Sequence, residues 1–232
     1  MNLEEANILK ILVCEQNRRL PETGLVILTE GNVSQISSNR SFIVIKPSGV
    51  EYHDLAPEKM VVVDMSGKVV EGDLRPSVDT FTHLEIYKKY SHIGGITHTH
   101  SSFATVFAQM HKPVPAYGTT HADAFGQEIP VTRPLSDDEI TGNLEINTGR
   151  VICEVLDQRH ARCVLVASHG PFVFGKDAKE SVDCAAMAEQ VAMMAILGQY
   201  RSPIQEALLK KHFERKHGKD KYYGQQLDHD KI

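Results

Sequence analysis

The 232-residue sequence contains no tryptophan, and aromatic residues make up only 6% of it. Its four cysteines are far apart and form no Cys-x-x-Cys pair, which argues against a thiolate zinc site or a dithiol redox centre. We therefore expect the four cysteines to be small buried hydrophobic residues of a protein in a reducing compartment. Glu4 and Glu5 stand where a signal peptide would carry basic residues, so we expect a cytoplasmic location.

An excess of positive charge is also missing. Lys and Arg total 25 against 30 Asp and Glu, a net charge of -5, so we expect neither nucleic acid nor anionic membrane as a partner. The longest apolar stretch, around Val191 to Leu197, is far shorter than the roughly 20 residues of a membrane span. No repeat or linker interrupts the chain, which predicts a single domain over residues 1–232.

Helical and strand patterns intersperse along the chain. Apolar spacing predicts helices over Leu3–Leu20, Asp79–Tyr90 and Ala178–Tyr200, and β-branched runs predict strands at Phe42–Ile45, Met60–Val63, Lys68–Val70, Ile96–His100 and Cys163–Ala167. The second and third of these strands should form a hairpin. The pattern predicts an α/β fold whose sheet is at least partly antiparallel. Residues 210–221 are basic and polar, and we expect a solvated helical tail with little apolar surface to dock on its own domain.

What the sequence does have is histidine, twelve in all. His98 and His100 are two apart in a segment with strand character, so both should point to one face and could bind one ion. A single His-x-His motif is weak evidence for a metal site, and a purely structural role is about equally consistent with it. Two further candidate ligands are His169, at the edge of a β-branched run, and Asp79, at the start of a helix. Asp79 could instead only stabilise the helix N-terminus through its negative charge. Three imidazoles and a carboxylate suit a catalytic zinc ion better than a structural one.

Short polar segments could bind an anion. Lys46-Pro47-Ser48-Gly49 follows a strand, Gly31-Asn32-Val33-Ser34 offers small polar groups, and Arg75-Pro76-Ser77 precedes a helix N-terminus that would favour phosphate. A plain turn is the commoner meaning of Pro-Ser-Gly. Thr119 to Asp123 groups an imidazole, a carboxylate and hydroxyls that could serve a site, although an ordinary loop is the commoner interpretation of such a segment. Tyr222 and Tyr223 could belong to a surface tail or supply a phenol as proton donor.

These segments, in this order, are similar to a known family over nearly the whole chain. The matching motifs are Gly31-Asn32-Val33-Ser34, Lys46-Pro47-Ser48-Gly49-Val50, Pro76-Ser77-Val78-Asp79-Thr80, Gly94-Gly95-Ile96-Thr97-His98-Thr99-His100, Gly118-Thr119-Thr120-His121-Ala122-Asp123, Ser168-His169-Gly170-Pro171-Phe172, Lys216-His217-Gly218 and Tyr222-Tyr223-Gly224-Gln225. The sequence resembles the class II aldolase and adducin-like family, and most closely its L-ribulose-5-phosphate 4-epimerase branch.

The resemblance implies a role for individual residues. It makes Asp79, His98, His100 and His169 the ligands of one zinc ion per chain, and Asn32, Lys46, Ser48, Gly49 and Ser77 the contacts to a sugar phosphate. Val78 departs from the branch, which usually has a second serine there, so the backbone N–H is kept and one hydroxyl donor is lost. Cobalt or manganese would also suit imidazole and carboxylate ligands.

The resemblance further implies Asp123 and Tyr223 as the acid/base pair, with lesser roles for Glu145 and His212. It implies a largely antiparallel sheet flanked by helices, and a homotetramer whose sites lie between adjacent subunits, with residues 210–232 as a C-terminal tail that contributes to a site. The sequence does not decide which member of the acid/base pair serves which epimer.

The implied reaction interconverts L-ribulose 5-phosphate and D-xylulose 5-phosphate by breaking and re-forming the C3–C4 bond. One alternative is a class II sugar-phosphate aldolase, for example of the L-fuculose-phosphate type. Such relatives usually carry Glu where Asp79 stands and lack the Thr-His-Ala-Asp segment. A second alternative is an adducin-like interaction domain without chemistry, in which the three histidines and Asp79 would have no purpose.

Overall fold

The computed structural model describes residues 2–198, 202–219 and 221–223, and over this part of the chain seven strands form one antiparallel sheet. The strands are β1 (Asn32–Ile36), β2 (Phe42–Ile45), β3 (Val61–Asp64), β4 (Val69–Glu71), β5 (Gly95–His98), β6 (Cys163–Val166) and β7 (Gly170–Gly175), in the order β4-β3-β2-β1-β5-β7-β6. The helices are α1 (Leu3–Glu22), α2 (Thr80–Lys89), α3 (Ser102–Gln109), α4 (Thr119–Phe125), α5 (Asp137–Thr141), α6 (Leu144–Gln158), α7 (Ala178–Gly198) and α8 (Glu206–His217). Two short 3-10 helices, Tyr52–Asp54 and Pro57–Lys59, precede β3.

Helices cover both faces of the sheet. Alternate residues of β2 point to opposite sides: Phe42 and Val44 pack with α1 and α7, whereas Ile43 and Ile45 pack with α2 and α6. A strand that is buried on both faces has an unbroken apolar sequence, which is why β2 and β3 are easy to recognise. The α/β class with a largely antiparallel sheet is confirmed.

The helix α7 is long and apolar enough to cross a membrane by length and composition. A core helix passes the same test, and α7 buries small side chains against the sheet and α3, among them Ala178, Val182, Ala185 and Ala188. Burial of this stripe accounts for part of its apolar composition, since 39% of the apolar window is buried.

Several elements were not expected. β1 and β7 have no strand signal of alternating polarity, because β1 buries Asn32 and Ser34 and β7 begins with Gly170-Pro171. The prediction of a loop at residues 119–123 is wrong, since these residues belong to α4. β5 ends at His98 rather than at His100.

The C-terminal segment is helical, as expected, but it does dock on its own chain. Phe213 of α8 packs against Gly126 at the end of α4, where a Cβ atom would lie 2.5 Å from the Phe213 ring. Asp123 of α4 accepts hydrogen bonds from Arg215 at 2.6 Å and from His212 at 3.1 Å. The expectation of a tail with nothing to dock on is therefore wrong, because the aromatic side chain of Phe213 packs against the end of α4 and the half-buried carboxylate of Asp123 contacts α8.

Candidate metal centre and substrate cavity

The register of the sheet brings distant residues to one end. In the antiparallel ladders Asn32 pairs with His98, and His98 pairs with Phe172, so the beginning of β1, the end of β5 and the beginning of β7 coincide. Lys46 follows the end of β2 and His169 precedes β7, at the same edge. Loops at this edge therefore display side chains on a rigid frame.

Three histidines meet there. The Nε2 atoms of His98 and His100 lie 3.1 Å apart, and one ligand nitrogen from each of His98, His100 and His169 lies within 4.8 Å of the others. Nitrogens bound to one tetrahedral zinc ion lie about 3.3 Å from each other, given bonds of about 2.0–2.1 Å. The cluster is consistent with a divalent metal site.

A hydrogen bond and burial hold the His98 ring in a form that can bind a metal ion. Its Nδ1 donates to the carbonyl oxygen of Pro171 at 3.0 Å, which leaves the lone pair on Nε2 facing the cluster. Burial lowers the pKa of His98 well below its usual value, and the neighbouring His169 and His100 lower it further. The ring stacks on Phe172 at a centroid distance of 4.1 Å. A neutral, fixed imidazole is the form that binds a metal ion.

His169 is placed by a tight turn between β6 and β7. Ser168 has a left-handed backbone (φ +62°), its N–H donates to Ala108, and its hydroxyl contacts His111 at 2.7 Å. Gly170 lies so close to Thr99 that a Cβ atom would come within 2.6 Å of the Thr99 carbonyl oxygen. Burial lowers the pKa of His169; Asp79 opposes that shift and His100 adds to it.

Asp79 stands at the N-cap position of α2, yet its side chain makes no capping hydrogen bond. Instead its Oδ2 accepts from Asn32 Nδ2 at 2.8 Å and lies 4.0 Å from His98 Nε2. A carboxylate turned away from the helix end and toward three imidazoles is what a fourth ligand requires, and the donor set fits zinc. The Oδ1 atom of Asn32 is buried without a partner among the described residues, as expected of a group that awaits a ligand.

The cluster opens into a cavity of about 710 Å³, within the size range of small-molecule sites. The residues that the resemblance assigns to substrate all line it, namely Asn32, Lys46, Ser48, Gly49, Ser77 and Val78. Ser77 Oγ accepts from Asn32 Nδ2 at 3.0 Å, and Gly49 has a positive φ of +69°. Val78 is 66% exposed, so packing in the core does not explain why this position carries valine.

Lys46 supplies the cation of the cavity. Its side chain is buried, its Nζ donates to the Thr29 carbonyl oxygen at 3.1 Å, and the ammonium lies 4.8 Å from the centre of the Tyr52 ring. Burial lowers the pKa of Lys46 to about 8, against a weaker opposing effect of Glu51. A cation held in this way can bind an anionic substrate group.

Part of the cavity lining was missed from the sequence. It is formed by α5, α6 and the segment before them, and includes Pro134, Leu135, Ile140 and Leu144. Glu145, which the resemblance gave a lesser role, lines the cavity beside them. Ile140 is 49% and Leu144 is 41% exposed. The start of α5 had a sequence signal, because Ser136 and Glu139 form a capping box. Glu30, whose carboxylate lies 3.4 Å from His100 Nδ1, was also missed.

Asp123 and Tyr223 do not line this cavity in the same chain. Arg215 donates two hydrogen bonds to Asp123, and the Tyr223 ring lies 4.3 Å from Lys216 Nζ. Burial raises the pKa of Asp123, but the hydrogen bonds from Arg215 and His212 outweigh it, and the net pKa is lowered. Gly224 and Gln225 of the terminal motif lie outside the described residues.

Comparison with known proteins gives the family. The model of the class II aldolase and adducin N-terminal domain matches residues 11–196. An L-fuculose 1-phosphate aldolase structure superposes with a TM-score of 0.76 at 23% identity, covering 90% of this chain and 95% of the other. YgbL from Klebsiella pneumoniae, described as a putative aldolase/epimerase/decarboxylase, gives 0.74 at 20% identity over 89% and 98%. The L-fuculose 1-phosphate aldolase from Glaciozyma antarctica PI12 gives 0.75 at 19% identity over 91% and 82%. With four-fifths of its length matched, the chain belongs to the class II aldolase and adducin family.

Proposed function

We propose that the protein is a zinc-dependent epimerase that interconverts L-ribulose 5-phosphate and D-xylulose 5-phosphate. The observation that carries the proposal is the shared cavity, in which three histidines and Asp79 lie together with Lys46, Ser48 and Ser77, a set of groups suited to binding an anion. The Thr-His-Ala-Asp and Tyr-Tyr-Gly-Gln segments favour the epimerase over other members of the family.

The chemistry of the sugar selects the bond that breaks. Carbon 4 of a 2-ketopentose lies two bonds from the carbonyl, so its hydrogen is not acidic and simple deprotonation cannot invert it. The C3–C4 bond is the one that a retro-aldol step cleaves. After cleavage the aldehyde fragment presents its other face, and re-addition gives the epimer.

The protein residues have separate roles in this scheme. Asp79, His98, His100 and His169 would hold one zinc ion, which as a Lewis acid stabilises negative charge on oxygen when it is bound. Lys46, Ser48 and Ser77 bind the phosphate, so that the fragment is retained between the two steps. Asn32 bridges the two groups, because its amide already touches both Ser77 and Asp79.

Proton transfer needs two groups of different acidity, one on each face of carbon 4. Asp123 is held ionised by Arg215 and can take a proton from the C4 hydroxyl, while the Tyr223 phenol can return one. Because neither lines the cavity of its own chain, we propose that a neighbouring copy in a homotetramer supplies both.

A sugar-phosphate aldolase is the second candidate. The fold is shared with L-fuculose 1-phosphate aldolases, and the exposed Ile140 and Leu144 could accommodate an apolar end of a deoxysugar. The test is to incubate the zinc-loaded protein separately with L-ribulose 5-phosphate and L-fuculose 1-phosphate. Formation of D-xylulose 5-phosphate without accumulated fragments supports the epimerase. Release of dihydroxyacetone phosphate from the second substrate, with no epimer from the first, would establish the aldolase instead.

A further inference from the structure

Two residues beside the metal centre have an unusual backbone conformation. In the part of the chain that the structure describes, four residues other than glycine have a positive φ, namely Leu28, Arg40, His111 and Ser168. A side chain disfavours this left-handed conformation, so a residue keeps it only where its surroundings hold it there. Two of the four, His111 (φ +52°) and Ser168 (φ +62°), contact each other, although 57 residues separate them in the sequence.

The contact joins the end of α3 to the turn that carries His169. His111 follows α3 at the left-handed position that ends many helices, where glycine is the usual residue. Its Nε2 lies 2.7 Å from Ser168 Oγ. The carbonyl oxygen of Ala108 accepts hydrogen bonds from the N–H groups of both residues, at 3.2 Å from His111 and 2.9 Å from Ser168. Ser168 is therefore tied to the end of α3 twice, once through its backbone and once through its side chain.

The stability of the fold does not explain the His111 imidazole. Both residues are exposed, so a hydrogen bond between them competes with water and adds little to the free energy of unfolding. Glycine at position 111 would relieve the backbone strain and would end the helix equally well. Since the imidazole stabilises neither the core nor the helix end, its effect on Ser168 is what remains.

Ser168 sets the direction of a metal ligand. It precedes His169 in the turn between β6 and β7, and the His169 N–H donates to the Val166 carbonyl oxygen at 3.0 Å. In this conformation the centre of the His169 ring lies 4.6 Å from that of His98 and 5.0 Å from that of His100. If Ser168 left the left-handed region, the peptide before His169 would rotate, and its ring would turn away from the other two imidazoles.

We propose that His111 is a positioning residue for the metal centre: through the Ser168 hydroxyl it holds the turn in the conformation that directs His169 toward the metal ion. His111 does not line the cavity and acts only through Ser168. Without this support, the ordering of His169 becomes part of the free energy of metal binding, and the affinity falls. The inference rests on the metal centre of the proposed function and is independent of the sugar.

Three substitutions of His111 separate positioning from backbone strain. Glycine and asparagine adopt a positive φ more readily than histidine does, but neither reaches Ser168, because the asparagine amide ends at the position of the imidazole Nδ1. The glutamine amide reaches the position of Nε2. Strain alone therefore predicts that His111→Gly and His111→Asn are at least as stable as the wild type. Positioning predicts that these two variants bind the metal ion more weakly and that His111→Gln does not.

Metal affinity and stability are measured separately. Chelator-treated proteins are titrated with Co²⁺ at one fixed pH, the visible d–d spectrum is recorded, and thermal unfolding is followed without metal. We expect His111→Gly and His111→Asn to bind Co²⁺ about 3–10-fold more weakly, the equivalent of one hydrogen bond, without a lower Tm. His111→Gln should keep the wild-type affinity. The control is His92→Asn, which removes another exposed imidazole outside the cavity and should match the wild type. Unchanged affinity in His111→Gly, or a loss shared by the control, would overturn the proposal.

A second comparison tests the route through Ser168. In Ser168→Gly the turn needs no support, because glycine adopts the left-handed conformation unaided. Adding His111→Gly to this variant should therefore weaken Co²⁺ binding no further. Ser168→Ala keeps the strain and lacks the hydroxyl, so it should lose about as much affinity as His111→Gly. Additive losses in the double variant would show that the two residues act independently, and the proposal would be wrong. Absence of Co²⁺ binding by the wild type would instead remove the metal centre, and with it this inference.

Discussion

The histidine end of the sheet and the corner between α4 and α8 are held by different forces. At the sheet end, backbone pairing fixes His98 opposite Asn32 and Phe172, and the ring is buried. At the corner, Asp123 is held by the partly exposed side chains of His212 and Arg215 of α8. Backbone pairing involves no ionised group, so we expect the first arrangement to depend less on pH and salt than the second, which includes an ion pair. A metal centre needs ligands that are held in place by backbone pairing and burial. Groups that reach a site from another chain can be held by charged contacts.

The largest effect should come from breaking the metal centre. We expect His98→Asn to lose the divalent ion, with affinity at least about 100-fold lower, and to lose turnover with it, because a buried ligand is removed from a set of four. Metal analysis and Co²⁺ titration measure this. His92→Asn is the control, since His92 is exposed and lies outside the cavity. An active, chelator-resistant protein without any divalent ion would contradict the mechanism.

The second prediction tests whether the two regions meet between chains. His98→Asn and Tyr223→Phe should each be inactive, but mixed tetramers should regain activity in about one quarter of their sites, if adjacent chains combine at random. Each such site pairs an intact metal centre with an intact tyrosine. Differential tags confirm mixing after unfolding and reassembly. Mixed assemblies as inactive as their parents would reject a site that is shared between adjacent chains.

The third prediction concerns the cation of the cavity. Since the pKa of Lys46 is lowered to about 8, the side chain loses its charge as the pH rises through that value. The KM for the sugar phosphate should therefore rise by up to about tenfold per pH unit above 8 if the charge is essential for binding. Lys46→Arg, which stays charged, should abolish this rise. A KM that is flat between pH 7 and 9.5 in the wild type would show that Lys46 does not bind the phosphate.

Val78 offers a smaller, favourable change. Val78→Ser restores a hydroxyl beside the proposed phosphate site, and a hydrogen bond to a charged group is worth about 1.5–3 kcal/mol before screening by solvent. Because Val78 is 66% exposed, we expect KM to fall by only about 3–10-fold, with kcat nearly constant. Val78→Thr provides a second hydroxyl for comparison. A KM that is unchanged or higher in both would mean that this position does not face the phosphate.

The smallest effect should appear at the corner itself. The lowered pKa of Asp123 means that its ion pair stabilises docking of α8 above the ordinary Asp pKa of about 3.9, and that this is lost as the pH falls through the lowered value. Arg215→Met should weaken docking at pH 7 by about 1 kcal/mol, allowing for exposure. Hydrogen exchange of residues 206–217 reports it. Equal protection in both proteins would show that the Arg215–Asp123 ion pair does not stabilise the docked helix.

Much of the frame could be predicted from local patterns. β2 was placed at its observed bounds and the β3–β4 hairpin was recognised, because their runs of apolar residues are continuous. β1 and β7 could not be placed, since each buries residues that normally break or avoid strands. The pairing of Asn32 with Asp79 spans 47 residues, and no local signal encodes such a contact.

The family, the apolar strands and the set of imidazole and carboxylate side chains available for a metal ion can be read from the order of the residues. Which of these side chains meet depends on the tertiary structure. Strand register joined His98 to Asn32, a left-handed turn at Ser168 directed His169, and the β1–α2 contact turned Asp79 away from its helix. It also showed that Asp123 lies elsewhere in the chain, bound to α8. The physical reason is that motifs specify chemistry within a few residues, whereas distances between motifs depend on pairing and packing across the whole sheet.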